Sequence, residues 1–389
     1  MHTAYEPMLN ARARQATTSA IRDLLEHAQR PGMISLAGGL PDPDRFPTAE
    51  LADIAADVLR NDGRRTLQYG LTAGERDLRQ HVVATTPCAT DIDEVIVTTG
   101  SQQGLELLAG VLVDPGDQVV VADPEYLGAT QSFRRAGAVL APMPVDADGL
   151  DVDALDAALV AGLRPKFVYL VPHFHNPSGG TLSTNRRRRL LELAEHYGFL
   201  VVFDDPYRDL YVGDAPGEPA PHPMAVHLRS SSKVLAPGLR VGWTIGPTWL
   251  TRSMERSKQS ADLHTSTVSQ AIVLRALTAD WYPAHLETLR AATRTKRDAL
   301  TTALERELGD GVGFRRPGGG MFVWASLGKQ ISTDALLAPA LDAGVAFVPG
   351  SAFAVERDLS RHLRLSWATG SPTQLAEAIA RLAGVLDTL

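Results

Sequence analysis

The stretch Phe199-Leu200-Val201-Val202-Phe203-Asp204-Asp205-Pro206-Tyr207 decides the fold. Its first five residues are uniformly apolar, as in a strand covered on both faces, and the acidic pair followed by proline closes it as a turn. Working outward, Val95-Ile96-Val97-Thr98, Val119-Val120-Val121 and Phe167-Val168-Tyr169-Leu170-Val171 have the same character. Shorter runs stand at Val226-His227-Leu228 and Val241-Gly242-Trp243-Thr244-Ile245. Helical stretches lie between most of them, including 102–113 and 185–197. Strand and helix in alternation predict an α/β domain with a mostly parallel central sheet and helices on both faces.

On the amino-terminal side, Ile21, Leu24, Leu25 and Ala28 share one face of a helix read over Thr17 to Gln29, which Pro31-Gly32 stops. A second helix places Leu51, Ile54, Ala55, Val58 and Leu59 on one face. Beyond about residue 285 the pattern changes. A long helix (roughly 285–307) precedes strand-like runs at 321–324, Val345-Ala346-Phe347-Val348 and Leu363-Arg364-Leu365-Ser366-Trp367. The last helix opens on Ser371-Pro372-Thr373-Gln374, with Ser and Gln at capping-box spacing. The expected division is an N-terminal arm (1–45) packing with a smaller α+β domain (285–389), and a large domain (46–284) between them.

The chain has 389 residues, 44% hydrophobic and 21% charged, enough for a sizeable core. Lys and Arg number 38 against 45 Asp and Glu, a net charge of −7. An acidic balance without a basic tract argues against nucleic-acid or anionic-lipid partners. Cys88 stands alone, so no intrachain disulfide and no cysteine-based metal cage is expected, and no metal site is read elsewhere. No apolar run is long enough to span a bilayer and no secretory leader is seen, so a cytoplasmic protein is expected. Only five lysines occur, at 166, 233, 258, 296 and 329.

Ligands of open α/β sheets bind at the carboxyl ends of strands, so the residues following each strand are the candidates. They are Thr99-Gly100-Ser101-Gln102, Asp123-Pro124-Glu125-Tyr126, the segment from Pro172 through His173, His175 and Asn176 to Gly179, then Asp204 through Tyr207, and Ser230-Ser231-Ser232-Lys233 running on to Arg240. Small residues at a helix N-terminus suit a phosphate, but they also make an ordinary turn. Taken singly, Tyr126 reads equally as a packing aromatic, Asn176-Pro177 as a turn, Asp204 as a cap and Lys233 as a surface lysine. Together they match the needs of pyridoxal phosphate: a lysine for a Schiff base, an acid facing the ring nitrogen, phosphate donors and an aromatic against the ring. A carboxylate at a strand end keeps the pyridine nitrogen protonated, because an opposite charge favours the charged form.

These motifs, with Ser35 through Pro41, Tyr69-Gly70 through Gly74 to Leu78-Arg79, Phe347-Val348-Pro349-Gly350 and Arg364, occur in an order that resembles the fold type I pyridoxal-phosphate aminotransferases. The resemblance runs from Arg22 into the last helix. It is nearest the 2-aminoadipate, kynurenine and aromatic aminotransferase subgroup, to which the aminotransferase-like domains of some winged-helix regulators also belong. It implies pyridoxal 5'-phosphate as cofactor, Lys233 as the lysine bound to it, Asp204 at the pyridine nitrogen, Asn176 and Tyr207 at the phenolate oxygen, and Tyr126 stacked on the ring. Ser101, Gln102, Ser230, Ser232 and Arg240 would hold the phosphate. Tyr69 would reach the phosphate of a neighbouring subunit, which implies a homodimer with shared sites. Arg364, beside the Gly39 backbone, would clamp the substrate α-carboxylate.

The resemblance implies transfer of an amino group between an amino acid and a 2-oxo acid by a ping-pong mechanism, with Lys233 as general base. Arg22 is either a solvated helix residue or a partner for an acidic side chain. The second reading makes glutamate the amino donor. His173 and His175 depart from the subgroup, which commonly shows an apolar or amide residue there. The same fold also hosts decarboxylation, elimination and oxygen-dependent oxidation. A ligand-sensing role akin to the regulator domains is disfavoured, because no winged-helix segment is seen.

Overall fold

The structure is a computed structural model, and it describes Met8, Leu9, residues 30–328 and residues 331–388. The helix expected over Thr17 to Gln29, with Arg22, lies outside the described residues, as does Lys329.

Among the described residues, fourteen strands are numbered in chain order: β1 (Ile34–Ser35), β2 (Val95–Thr98), β3 (Gln118–Asp123), β4 (Val139–Asp146), β5 (Gly149–Leu150), β6 (Pro165–Leu170), β7 (Leu200–Asp204), β8 (Ala225–Ser230), β9 (Gly242–Ile245), β10 (Val312–Phe314), β11 (Phe322–Leu327), β12 (Val345–Ala346), β13 (Val348–Pro349) and β14 (His362–Ser366). The large sheet has the order β2-β9-β8-β7-β6-β3-β4-β5. The pairs β8·β7, β7·β6, β6·β3 and β3·β4 are parallel. The sheet is nevertheless mixed, because β9 runs antiparallel between β2 and β8, and β5 folds back on β4. With β9 reversed between them, β2 and β8 point the same way, and the turns after β2, β3, β6, β7 and β8 share one edge.

Side-chain alternation along the strands builds two cores. Val119, Val121, Phe167, Tyr169, Leu200 and Val202 pack on one face, while Val120, Val168, Leu170, Val201 and Phe203 pack on the other. This is why the apolar runs show no polar alternation. Asp204 continues the first series and reaches the strand end on the same face as Tyr169.

A second sheet, β10-β11-β14-β13, is antiparallel throughout. Helices Tyr282–Leu308, Thr333–Asp342 and Pro372–Asp387 contribute to its core, the last through Leu375, Ile379, Leu382 and Leu386. That helix opens on the capping box expected of Ser371 and Gln374. The run 345–348 is not one strand. Its first half pairs with β1 and its second with β14, the buried Phe347 standing at the change of partner. In the helix Thr48–Asn61 only Val58 is fully buried and Leu59 is 47% exposed, so the apolar face is narrower than its sequence implies.

The segment from β1 to residue 46 joins the two sheets. Leu36 O accepts from Ser366 N. Lys296 Nζ donates to Asp42 Oδ2 at 2.6 Å and to Ala368 O at 2.9 Å. This holds Gly38 through Asp42 across the strand-end edge of the large sheet.

Candidate active site

A cleft of about 260 Å³ opens at that edge. Ser101, Gln102, Tyr126, Asn176, Asp204, Tyr207, Ser230, Ser232, Lys233 and Arg240 all line it, with Leu40 and Leu105. Ten of the residues singled out in the sequence therefore meet in one place. A smaller apolar cavity of about 50 Å³, bordered by Leu210, Leu235, Leu289, Met321 and Trp367, also touches Lys233.

Lys233 ends the short helical turn Ser231–Lys233 that follows β8. Its Nζ donates to Gly39 O at 2.8 Å and lies 5.9 Å from the centre of the Tyr207 ring. Burial, then the charges of Arg364 and Arg240, lower its amine to about 8, against the opposite pull of Asp204. Asp204 is buried at the end of β7, with Oδ2 accepting from the Tyr169 hydroxyl at 2.9 Å and Oδ1 without a partner. Burial pushes this carboxyl up to about 7. The Tyr169 hydrogen bond opposes that rise, and the charges of Asp205 and Glu125 add to it. Sequence reasoning missed Tyr169, which sits opposite Val202 in the β6·β7 register, two residues short of Asp204 on the same face.

The turn after β2 is shaped by close approach. Gly100 has φ +77°, and a Cβ there would stand 2.5 Å from Arg240 Nη2. Gly242 opens β9 opposite both Thr98 and Ser230, and a Cβ on it would press on Arg229 O and Ser101 N. These two glycines let the start of the helix Ser101–Leu112 lie beside the Ser230 strand end. No side chain caps that helix, and the buried Ser101 hydroxyl has no partner. Ser230 Oγ donates to Ser232 Oγ at 2.8 Å, and Arg240, in the left-handed region at φ +53°, donates to Thr99 O. A helix N-terminus, three hydroxyls and a guanidinium form an anion cradle.

Tyr126 forms one wall. Its hydroxyl donates to Gln102 Oε1 at 3.5 Å, and Gly128 leaves room for its ring. Burial, with the charge of Asp204, raises its phenol to about 12, and burial raises the Tyr207 phenol further. On the small-sheet side Arg364 is 1% exposed, its guanidinium between Phe322 and Phe353 at 4.3 and 4.8 Å from the ring centres. It donates to Asn176 Oδ1 at 2.8 Å and to Ala37 O at 2.5 Å, while its Nε has no partner. Burial lowers it to about 10, which leaves it charged at neutral pH.

Tyr69 does not line the cleft. It is 77% exposed, edge-on to His264 at 5.9 Å, with Leu67 and Leu71 exposed beside it. Arg22 lies outside the described residues. His173 and His175 do not enter the cleft lining. His173 Nδ1 donates to Asp205 at 2.9 Å and its Nε2 faces Arg187 Nη2 at 3.3 Å, while His175 pairs with Glu125. Other lysines serve structure: Lys258 donates to Asp262 and Gln103, Lys296 to Asp42, and Lys166 pairs with Asp117. Among the described residues no His, Cys, Asp and Glu cluster could hold a metal ion, and no helix is long and apolar enough to cross a membrane.

Two buried, unpartnered oxygens, Asp204 Oδ1 and Ser101 Oγ, stand on residues that line one cleft with a lysine amine. Pyridoxal phosphate would fit these features, its protonated ring nitrogen meeting Asp204 Oδ1, its phosphate Ser101 and its neighbours, and its carbonyl Lys233. Comparison with known proteins points the same way. The family profile of aminotransferase class I and II matches residues 31–382. A 2-aminoadipate transaminase of Thermus thermophilus is 41% identical over 381 residues, covering 95% of this chain and 94% of that protein. An aromatic-amino-acid aminotransferase of Thermococcus litoralis is 38% identical, covering 97% and 94%. The crystal structure of an α-aminoadipate aminotransferase from Thermus thermophilus, complexed with N-(5'-phosphopyridoxyl)-L-leucine, superposes with a TM-score of 0.92 at 38% identity, covering 100% of both chains.

Proposed function

The chain belongs to the class I and II aminotransferases, and on that premise we propose that it moves an amino group between an L-amino acid and a 2-oxo acid by a ping-pong mechanism, with glutamate as amino donor. It is an aminotransferase and its cofactor is pyridoxal 5'-phosphate. When bound, the cofactor supplies a carbonyl carbon for the amino group and a protonated ring that accepts electrons from the substrate α-carbon.

The observation that carries the reading is the meeting of Lys233 Nζ and the unpartnered Asp204 Oδ1 in one cleft. In this reading Asp204 holds the ring nitrogen as a cation, Tyr126 covers a ring face, and Asn176 and Tyr207 serve the phenolate oxygen. Ser101, Gln102, Ser230, Ser232 and Arg240 take the phosphate. Lys233 Nζ takes the proton from the substrate α-carbon. A pKa of about 8 leaves part of its population neutral near pH 7, as a general base requires. Gly39 O aims that amine. Arg364, held flat between two rings and tied to Asn176, binds the α-carboxylate.

An acidic donor is supported by the relative named for 2-aminoadipate, whose name denotes a dicarboxylic amino acid. A homodimer belongs to the same proposal. A second copy would cover Leu67, Tyr69 and Leu71 and bring Tyr69 to the phosphate cradle, and sedimentation should then give twice the chain mass. A cytoplasmic location is supported by Cys88, buried and unpaired.

The test is a screen of amino donors against 2-oxo acids with initial rates. Parallel double-reciprocal lines with glutamate among the best donors support the proposal. Intersecting lines, or glutamate inert, defeat it.

A further inference from the structure

Two loops wall the cleft on the Tyr126 side, the residues after β3 (124–126) and those after β6 (172–180), and one buried imidazole joins them. His175 Nε2 lies 3.0 Å from Glu125 Oε1, and His175 Nδ1 lies 2.8 Å from Ser178 Oγ. Ser178 N–H also points at Nδ1, at 3.4 Å, so that nitrogen is the acceptor and the ring proton sits on Nε2, donated to Glu125. Glu125 is 0% exposed, and its carboxylate also accepts from Ala122 N at 3.0 Å and Tyr126 N at 2.7 Å. It accepts three hydrogen bonds and donates none, the pattern of an ionised carboxylate.

The end of β3 and this loop also grip the segment that leads into β14, the strand that carries Arg364. Asp123 accepts from the backbone N–H groups of Val355, Glu356 and Arg357, and Glu125 N donates to Phe353 O at 3.0 Å. Phe353 packs on Arg364, and Asn176, next to His175, accepts from that arginine. One side chain thus sits where the Tyr126 wall, the Asn176 loop and the Arg364 clamp are tied together.

We propose that His175 is a positioning residue: by bridging Glu125 to Ser178 it sets the Tyr126 wall and the Asn176–Arg364 clamp in register, so that cofactor binding and substrate-carboxylate binding depend on it together. The proposal rests on the roles given above to Tyr126 and Arg364. Without the imidazole, Glu125 keeps a buried charge with one donor fewer, and the loops lose their common anchor.

Four variants test it: H175A, H175Q, E125Q and R364K. Pyridoxal phosphate affinity is measured by titrating the cofactor-free protein, and KM and kcat on the holoenzyme. H175A should loosen the cofactor at least threefold and raise KM for both substrates at least threefold, with kcat falling by a smaller factor. H175Q still donates toward Glu125 and accepts from Ser178, and should return both constants to within threefold of the parent. Changes below threefold in H175A, or equal impairment in H175A and H175Q, would overturn the proposal. If H175A does not fold, E125Q, which keeps the volume and removes the charge, carries the same thresholds. R364K separates the two readings, since it should raise KM by a larger factor than it loosens the cofactor. If R364K leaves KM unmoved, the clamp assignment fails. The positioning role is then decided by the cofactor constant of H175A alone, with threefold loosening supporting it and a smaller change overturning it.

Discussion

The Tyr169 hydroxyl donates to one oxygen of Asp204 at 2.9 Å, and the other oxygen of the same buried carboxyl has no partner. The tyrosine holds one oxygen of the acid and leaves the other free for the ring nitrogen that the proposed function assigns to it. An unsatisfied buried oxygen costs about 1–3 kcal/mol, a cost that a binding site can relieve on loading. D204N replaces an anion by a neutral amide and removes the electrostatic hold on the ring cation. We expect kcat/KM to fall by about 100-fold or more, roughly 2.7 kcal/mol. Y169F keeps the charge and should cost only about three- to tenfold. Steady-state rates of the two variants check this order.

Asp204 and Lys233 also make the cofactor-free protein sensitive to pH. The folded Asp204 titrates near 7 against an ordinary 3.8, so between about pH 4 and 7 the folded state holds a proton that the unfolded chain has released. That contribution is present at low pH and is lost as pH rises through 7. Lys233, lowered to about 8 from 10.5, works the other way: the folded state gives up its proton first, and stability recovers between about 8 and 10.5. In the cofactor-free protein D204N should therefore be more stable than the parent at pH 8, by on the order of 1–4 kcal/mol. The gap should close near pH 4. Urea unfolding at the two pH values measures it.

Arg364 is stacked between Phe322 and Phe353 and already spends one N–H on Asn176. A lysine cannot reproduce the planar fork. R364K should lower kcat/KM for amino acid and 2-oxo acid alike by about 10- to 100-fold, about 1.4–2.8 kcal/mol, mainly through KM. Initial-rate kinetics with each substrate varied in turn decides it.

Gly100 is in the left-handed region and sits against the Arg240 guanidinium. G100A adds a methyl where backbone strain alone costs about 1 kcal/mol or more and where Arg240 must move. Affinity for pyridoxal phosphate should loosen about tenfold, and the strain should also lower the thermal stability of the cofactor-free protein. A titration of that protein with the cofactor, followed by protein fluorescence, measures the change.

Much of the arrangement was legible in the primary structure for a definite reason. An open α/β sheet puts its ligands at strand ends, so the short loops after uniformly apolar runs at 95–98, 167–171 and 199–203 could be listed without coordinates, and they supply Ser101, Gln102, Asn176, Asp204 and Tyr207 to the cleft. What could not be read depends on register and on long-range approach. Tyr169 looks like any core aromatic until β6 is laid against β7. Glu125 and His175 stand 50 residues apart and meet only when two loops fold over the same edge. The reversal of β9 leaves no mark in its composition, and the split of 345–348 between two sheets follows from partners that periodicity does not name.

Every role proposed for the cleft depends on Lys233 being the residue that carries the cofactor. Borohydride reduction of the cofactor-loaded protein, followed by digestion and mass spectrometry, tests this directly. One phosphopyridoxyl adduct is expected, on the peptide that contains Lys233, and none in K233A. An adduct on Lys258 or Lys296 instead, or no adduct in a protein that still transaminates, would contradict that assignment.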